Sequence, residues 1–144
     1  MPLFGKMNQT PLGIYIHVPF CRSKCQYCDF YSVTDKDDFL MDRYLDAICT
    51  HIKEAGPLAP NHLVDTVYFG GGTPSYLGAK RLSTILKHVK KLKRVEKGAE
   101  ITLEANPESL DTPRQVRAPR RAGFNRISLG VQSANKAELR AVGR

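Results

Sequence analysis

Apolar residues in this chain first alternate and then recur every three to four positions, and the two patterns take turns along its length. Over residues 13–18, Ile14, Ile16 and Val18 fall on one side of an extended segment, with Tyr15 and His17 on the other. Pro19 ends that strand because it cannot donate to a ladder. Over 37–54, Phe39/Leu40, Tyr44/Leu45, Ile48/Cys49 and then Ile52 form the stripe of an amphipathic helix, which Gly56-Pro57 stops. A second strand over 64–69 runs straight into Gly70-Gly71-Gly72-Thr73-Pro74-Ser75. Leu82, Ile85, Leu86, Val89 and Leu92 then mark a helix with lysines opposite, and Gly98 is the expected end signal.

A third strand, 100–105, sets Ile101, Leu103 and Ala105 against Thr102 and Glu104. After Asn106-Pro107-Glu108, Thr112 reads as an N-cap, with Pro113 at the first helical position and Gln115 completing a capping box. Pro119 falls inside this helix, where a proline costs ~3 kcal/mol, so a kink or break is predicted before Gly123 closes it. A fourth strand over 126–131 carries Ile127, Leu129 and Val131 on one face. Asn135 caps a last helix with Glu138 three residues on and a short stripe of Leu139 and Val142.

Four strand–helix units in succession predict an α/β fold with a parallel sheet and right-handed crossovers. In such sheets chemistry collects beyond the carboxyl ends of the strands. The unusual residues sit there: a cysteine loop after the first strand, glycines after the second, Glu104 on the third, Gln132 past the fourth. The alternation stops without a closing strand. The expected organisation is therefore a tail over 1–11 and, over 12–144, the N-terminal four βα units of a larger, unclosed TIM-like barrel, with its remainder and a C-terminal domain absent.

The 144 residues, 42% hydrophobic and 25% charged, suit one cored domain. No apolar run approaches the ~20 residues of a transmembrane segment, and residues 1–11 lack a secretory core, so a cytoplasmic setting is expected. The net charge of +8 is concentrated in Lys80, Arg81, Lys87, Lys90, Lys91, Lys93, Arg94 and Lys97, and again in Arg114, Arg117, Arg120, Arg121 and Arg126. These read as solvated helix faces. No aromatic residue interleaves the lysine run, which disfavours a nucleic-acid partner. Of four cysteines, Cys49 belongs to a helical stripe and reads as a small buried hydrophobe.

The other three form Cys21-x3-Cys25-x2-Cys28. Close thiols in a reducing compartment favour metal over disulfides, and thiolates select zinc, copper(I) or iron–sulfur clusters. Three cysteines on a 4Fe-4S cluster would leave one iron open to a chelating ligand. A closed Cys3His zinc module, with His17 as fourth ligand, is the alternative. The triple glycine admits close backbone approach by a ligand; it could equally be a connector or a phosphate nest, though no Gly-Lys-Ser/Thr follows.

Tyr15-Ile-His-Val-Pro-Phe-Cys21-x3-Cys25-x-Tyr27-Cys28 resembles the radical S-adenosylmethionine superfamily, and more narrowly its oxygen-independent coproporphyrinogen III oxidase group. Phe69-Gly-Gly-Gly-Thr-Pro-Ser75, Glu104-Ala-Asn-Pro-Glu108 and Gly123-Phe-Asn-Arg-Ile-Ser-Leu-Gly-Val-Gln132-Ser fit the same group in the same order. The resemblance implies a radical-SAM (β/α)6 barrel and a 4Fe-4S cluster on Cys21, Cys25 and Cys28. It also implies S-adenosylmethionine chelated to the open iron and split by one electron into methionine and a 5′-deoxyadenosyl radical. Tyr15, Tyr27, Gly71, Gly72, Thr73 and Glu104 match cofactor-binding positions, and Gln132 and Arg144 match contacts to a second S-adenosylmethionine. The oxidases carry a further cysteine two positions after the third ligand. Here that residue is Phe30, as in a heme-chaperone branch of the group that lacks the oxidase reaction. Heme or porphyrin, an unidentified heme acceptor and an electron donor such as flavodoxin or ferredoxin are the implied partners. Heme binding is expected of the full-length protein. A radical enzyme, decarboxylating coproporphyrinogen III or modifying RNA, is the other reading the resemblance leaves open.

Overall fold

Alternating strands bury one face only if helices cover it, and in this chain most do. A computed structural model describes residues 10–34, 37–92 and 94–144. Its strands β1 (Thr10–Val18), β2 (His62–Gly71), β3 (Val95–Ala105) and β4 (Arg126–Leu129) pair in parallel, in spatial order β1-β2-β3-β4. Helices α1 (Asp38–Ala55), α2 (Ala79–Lys91), α3 (Pro113–Ala122) and α4 (Lys136–Ala141) follow the strands in turn. The result is the expected α/β architecture with an open parallel sheet. Thr10 and Pro11 belong to β1 rather than to the expected tail; the rest of that tail, residues 1–9, lies outside the described residues.

Register puts Ile16, Phe69 and Leu103 side by side on the helix-covered face, at 2%, 0% and 0% exposure. Met41, Cys49 and Ile52 of α1 and Leu82, Ile85, Leu86 and Val89 of α2 pack on them. Phe124 meets Phe69 edge-to-face at 5.0 Å. Fully burying side chains of this size stabilises by about 1.5–3 kcal/mol each. Arg81 clamps the two helices together, with Nη2 2.9 Å from Asp38 Oδ1 and Nε 2.7 Å from Asp42 Oδ1. The hydrogen bond from Arg81 holds the Asp42 carboxyl below its usual range, against the opposing effect of desolvation.

The structure departs from the sequence pattern at four places. Met41, not Phe39, fills the first turn of the α1 stripe; Phe39 is exposed and lies beneath the Arg43 guanidinium. Gly98 does not end α2, which is capped at Leu92. It sits inside β3 with φ +101°, where β3 advances from Val95 to Glu100 while β2 advances only from Val64 to Thr66. Pro119 does not interrupt α3. Its missing N–H withholds a single bond, its ring is buried, and its carbonyl accepts from Gly123 and Phe124. β4 ends at Leu129 rather than 131, and its apolar side chains stay exposed. The Thr112–Gln115 capping box and the Asn135 cap form as expected. Among the described residues no helix is long and apolar enough to cross a membrane.

Candidate cluster and cofactor cleft

The cysteine loop is pinned at its neck by backbone. Cys21 N–H donates to Val33 O at 2.9 Å and Val33 N–H to Pro19 O at 2.6 Å, so Phe20 and Val33 bridge in parallel. Phe20 is driven into the core, edge-on to Tyr44 at 5.4 Å. The Tyr44 hydroxyl donates to His17 O at 2.6 Å, and burial pushes its phenol above the ordinary range. Within the loop, Cys28 N–H donates to Cys25 O at 3.1 Å, a turn that draws these two together. Cys21 is buried, Cys25 and Cys28 are half-buried, and all are free thiols.

The glycine turn packs against this loop because it has no side chains. Gly72 N–H donates to Val18 O at 2.9 Å and Thr73 N–H to Phe20 O at 2.7 Å. A Cβ on Gly72 would stand 2.7 Å from Phe20 O and 2.9 Å from Cys21 Sγ. Gly71 has φ +110°, and a Cβ there would strike the His17 ring at 2.7 Å.

On the uncovered face of the sheet, Tyr15 stacks on Tyr68 with centroids 6.1 Å apart, and Tyr68 donates to Glu104 Oε1 at 2.6 Å. Desolvation first, then the Glu104 charge, raises the Tyr15 phenol; desolvation and the Glu104 hydrogen bond raise that of Tyr68. Both stay protonated at neutral pH. His17 Nε2 donates to Tyr31 O at 3.0 Å, since a carbonyl can only accept. Nδ1 therefore presents its lone pair to the Tyr15 hydroxyl at 3.2 Å. Both ring nitrogens are engaged away from the cysteines.

The far wall is built by Arg144. Its Nη1 donates to Asn106 Oδ1 and to Gly130 O, each at 3.0 Å, and its Nε to Tyr27 OH at 3.1 Å. Partial burial alone would lower the guanidinium. The Cys25 and Tyr27 charges and hydrogen bonds to both outweigh it and hold it above its ordinary value. Gln132 has φ 66°, the one positive value at a non-glycine among the described residues, as strained backbone at binding sites often does.

These walls enclose a cleft of about 510 Å³ bordered by Cys21, Cys25, Cys28, Tyr27, Gly71, Gly72, Thr73, Glu104, Gln132 and Arg144. The volume is that of a small-molecule site. Three soft donors with a side-chain-free turn beside them fit a thiolate-held group with a chelating ligand next to it. The Ser32 hydroxyl, also on the wall, is buried with no hydrogen-bond partner among the described residues. Of the residues matched to cluster or cofactor positions in the sequence, Tyr15 alone does not border the cleft; it packs against Tyr68 and His17. Asn106 and Ser32 border the cleft, and Tyr68 holds Glu104 from outside it; none was picked out individually. The Asn-Pro at the end of β3 was the one signal for Asn106.

A family model for the radical SAM superfamily matches residues 15–144. The chain belongs to the radical SAM superfamily. Within it, the chain is 40% identical over 134 residues to heme chaperone HemW of Escherichia coli K12, covering 93% of this chain and 35% of the relative. It is 40% identical over 146 residues to HemW of Mycobacterium tuberculosis, covering 100% and 37%. Against the oxygen-independent coproporphyrinogen III oxidase of E. coli K12 it is 36% identical over 142 residues, covering 97% and 30%. Among solved structures, E. coli coproporphyrinogen III oxidase (HemN), a radical SAM enzyme, superposes with TM-score 0.85 at 34% identity, over 94% of this chain and 31% of that one. This radical SAM chain thus spans about a third of the length of the relatives it matches, and its open sheet corresponds to a part of the HemN fold.

Proposed function

We propose that the chain binds a 4Fe-4S cluster through Cys21, Cys25 and Cys28 and S-adenosylmethionine in the adjoining cleft, as part of a HemW-like heme chaperone in cytoplasmic porphyrin metabolism. The observation that carries this reading is that the three thiols open onto the same cleft as Gly71, Gly72, Glu104, Gln132 and Arg144. When bound, the cluster supplies the single electron that cleaves the sulfonium. The chain's own part is to hold and orient. Gly71 and Gly72 border the cleft, where their backbone would receive the ligand's amino group. Tyr68 fixes Glu104 Oε1, which leaves Oε2 for ribose hydroxyls or ammonium. Gln132 and Arg144, which border the same cleft, would contact a second S-adenosylmethionine on this reading.

One observation weighs against a zinc module: His17 has both ring nitrogens engaged, with Tyr15 and Tyr31. Phe30, exposed on the cleft wall where the oxidases have a further cysteine, favours the chaperone over coproporphyrinogen decarboxylation.

Heme, a heme acceptor and a flavodoxin- or ferredoxin-type reductant are the partners this reading requires. It is tested by titrating heme into the anaerobically reconstituted full-length protein, with coproporphyrinogen III turnover assayed in parallel. A saturable Soret shift without turnover is expected. Consumption of coproporphyrinogen with release of 5′-deoxyadenosine would replace the chaperone reading with the enzymatic one.

A further inference from the structure

Along the cleft wall runs a chain of hydrogen bonds whose direction is fixed at its far end. Arg144 Nη1 lies 3.0 Å from Asn106 Oδ1, Asn106 Nδ2 lies 3.1 Å from Thr73 Oγ1, and Thr73 Oγ1 lies 3.8 Å from Cys21 Sγ. A guanidinium can only donate, so the atom of Asn106 facing Arg144 must be its oxygen. The amide nitrogen is thereby turned on Thr73, and it too can only donate. The threonine oxygen accepts from it, which leaves the single hydroxyl hydrogen for the sulfur. Thr73 is 6% exposed and its backbone N–H is tied to Phe20 O, which fixes the residue beside the sulfur. Gly72, lacking a Cβ, leaves Cys21 Sγ uncovered on this side.

We propose, on the cluster reading given above, that Thr73 is a positioning residue that raises the reduction potential of the cluster by donating to Cys21 Sγ, and that Asn106 and Arg144 enforce the direction of that bond. Reduction adds one negative charge to the iron–sulfur core and its thiolates. A donor aimed at a ligand sulfur stabilises the reduced form more than the oxidised form, and burial strengthens the effect. This differs from a hydroxyl turned toward S-adenosylmethionine, the role that the motif alone suggests for Thr73.

The test is a spectroscopic redox titration of the reconstituted chain, without S-adenosylmethionine, comparing wild type with Thr73→Ser and Thr73→Ala, which differ from each other by one hydroxyl. Thr73→Ser should keep the wild-type potential. Thr73→Ala should shift the reduction equilibrium about tenfold toward the oxidised form, 59 mV for one electron. If Thr73→Ala fails to load iron, Thr73→Val takes its place in the comparison. A potential unchanged in the hydroxyl-free variant, or lowered equally in Thr73→Ser, overturns the proposal. Failure of the wild type to take up a cluster would instead remove the cluster reading, and this proposal with it.

Discussion

Leu103 and Glu104 are neighbours on β3 and point to opposite faces of one sheet. Leu103 has no exposure and packs among Phe69, Ile16 and the helices. Glu104 is half-buried, takes the Tyr68 hydroxyl and borders the cleft. The same division holds across β1 and β2: Ile16 and Val18 against Tyr15 and His17, Val67 and Phe69 against Tyr68 and Gly70. One face is closed by α1 and α2 and holds the fold. The other is aromatic and acidic, buried at Thr102 but open at Tyr15, and leads toward the cysteine loop. The period of two thus separates the helix-packed face from the face that reaches the cleft.

Breaking one face should therefore leave the other legible. Leu103→Ala leaves a cavity in the closed core and should cost about 2–5 kcal/mol in urea or thermal unfolding. Glu104→Gln should stay within about 0.5 kcal/mol of wild type in the same assay. It should weaken S-adenosylmethionine binding roughly tenfold or more, because a charged acceptor is lost. Equal destabilisation by the two substitutions would end the distinction.

The smallest effect concerns the clamp over the closed face. Arg81 lowers the Asp42 pKa in the folded state, so the stabilisation it contributes is present above the unfolded carboxyl value, about 3.9, and is lost as pH falls through the lower folded value. The gap in melting temperature between wild type and Asp42→Asn should be small and constant above about pH 5 and should close as the solution is acidified. A gap that persists unchanged to the lowest pH at which the fold survives would mean that the pair contributes nothing through its charge.

Which face each strand residue takes was readable from alternation alone, because a pleated strand allows only two faces. Burial was not. Leu103 and Ile127 are register partners on the same face, yet one has no exposure and the other 41%. Alternation names a side; only a covering element buries it, and among the described residues none covers β4 as α1 and α2 cover β1–β3. Local signals with a fixed partner three residues away, such as Thr112 with Gln115, were readable for the same reason as the strand faces. Gly98 and Pro119 misled because neighbours outvoted them. The β3 irregularity accommodated the first, and burial with a doubly used carbonyl accommodated the second. At the site, the three cysteines, the glycines and Glu104 stood out by type and spacing. The polarity of the Arg144–Asn106–Thr73 chain did not, since it depends on contacts between residues up to 38 positions apart. His17 is the clearest case: its spacing from Cys21 offered a zinc ligand, and its actual partners are Tyr15 and Tyr31.

On the proposed reading, Cys21, Cys25 and Cys28 hold an iron–sulfur cube on the cleft wall. Iron and acid-labile sulfide should be counted after anaerobic reconstitution of wild type and Cys25→Ala, with zinc measured in the same samples. About four irons and four sulfides per chain are expected in the wild type, with a brown charge-transfer band. In Cys25→Ala the band and the metal should be lost. Unchanged metal in the variant, or a single zinc without sulfide in the wild type, would contradict the assignment.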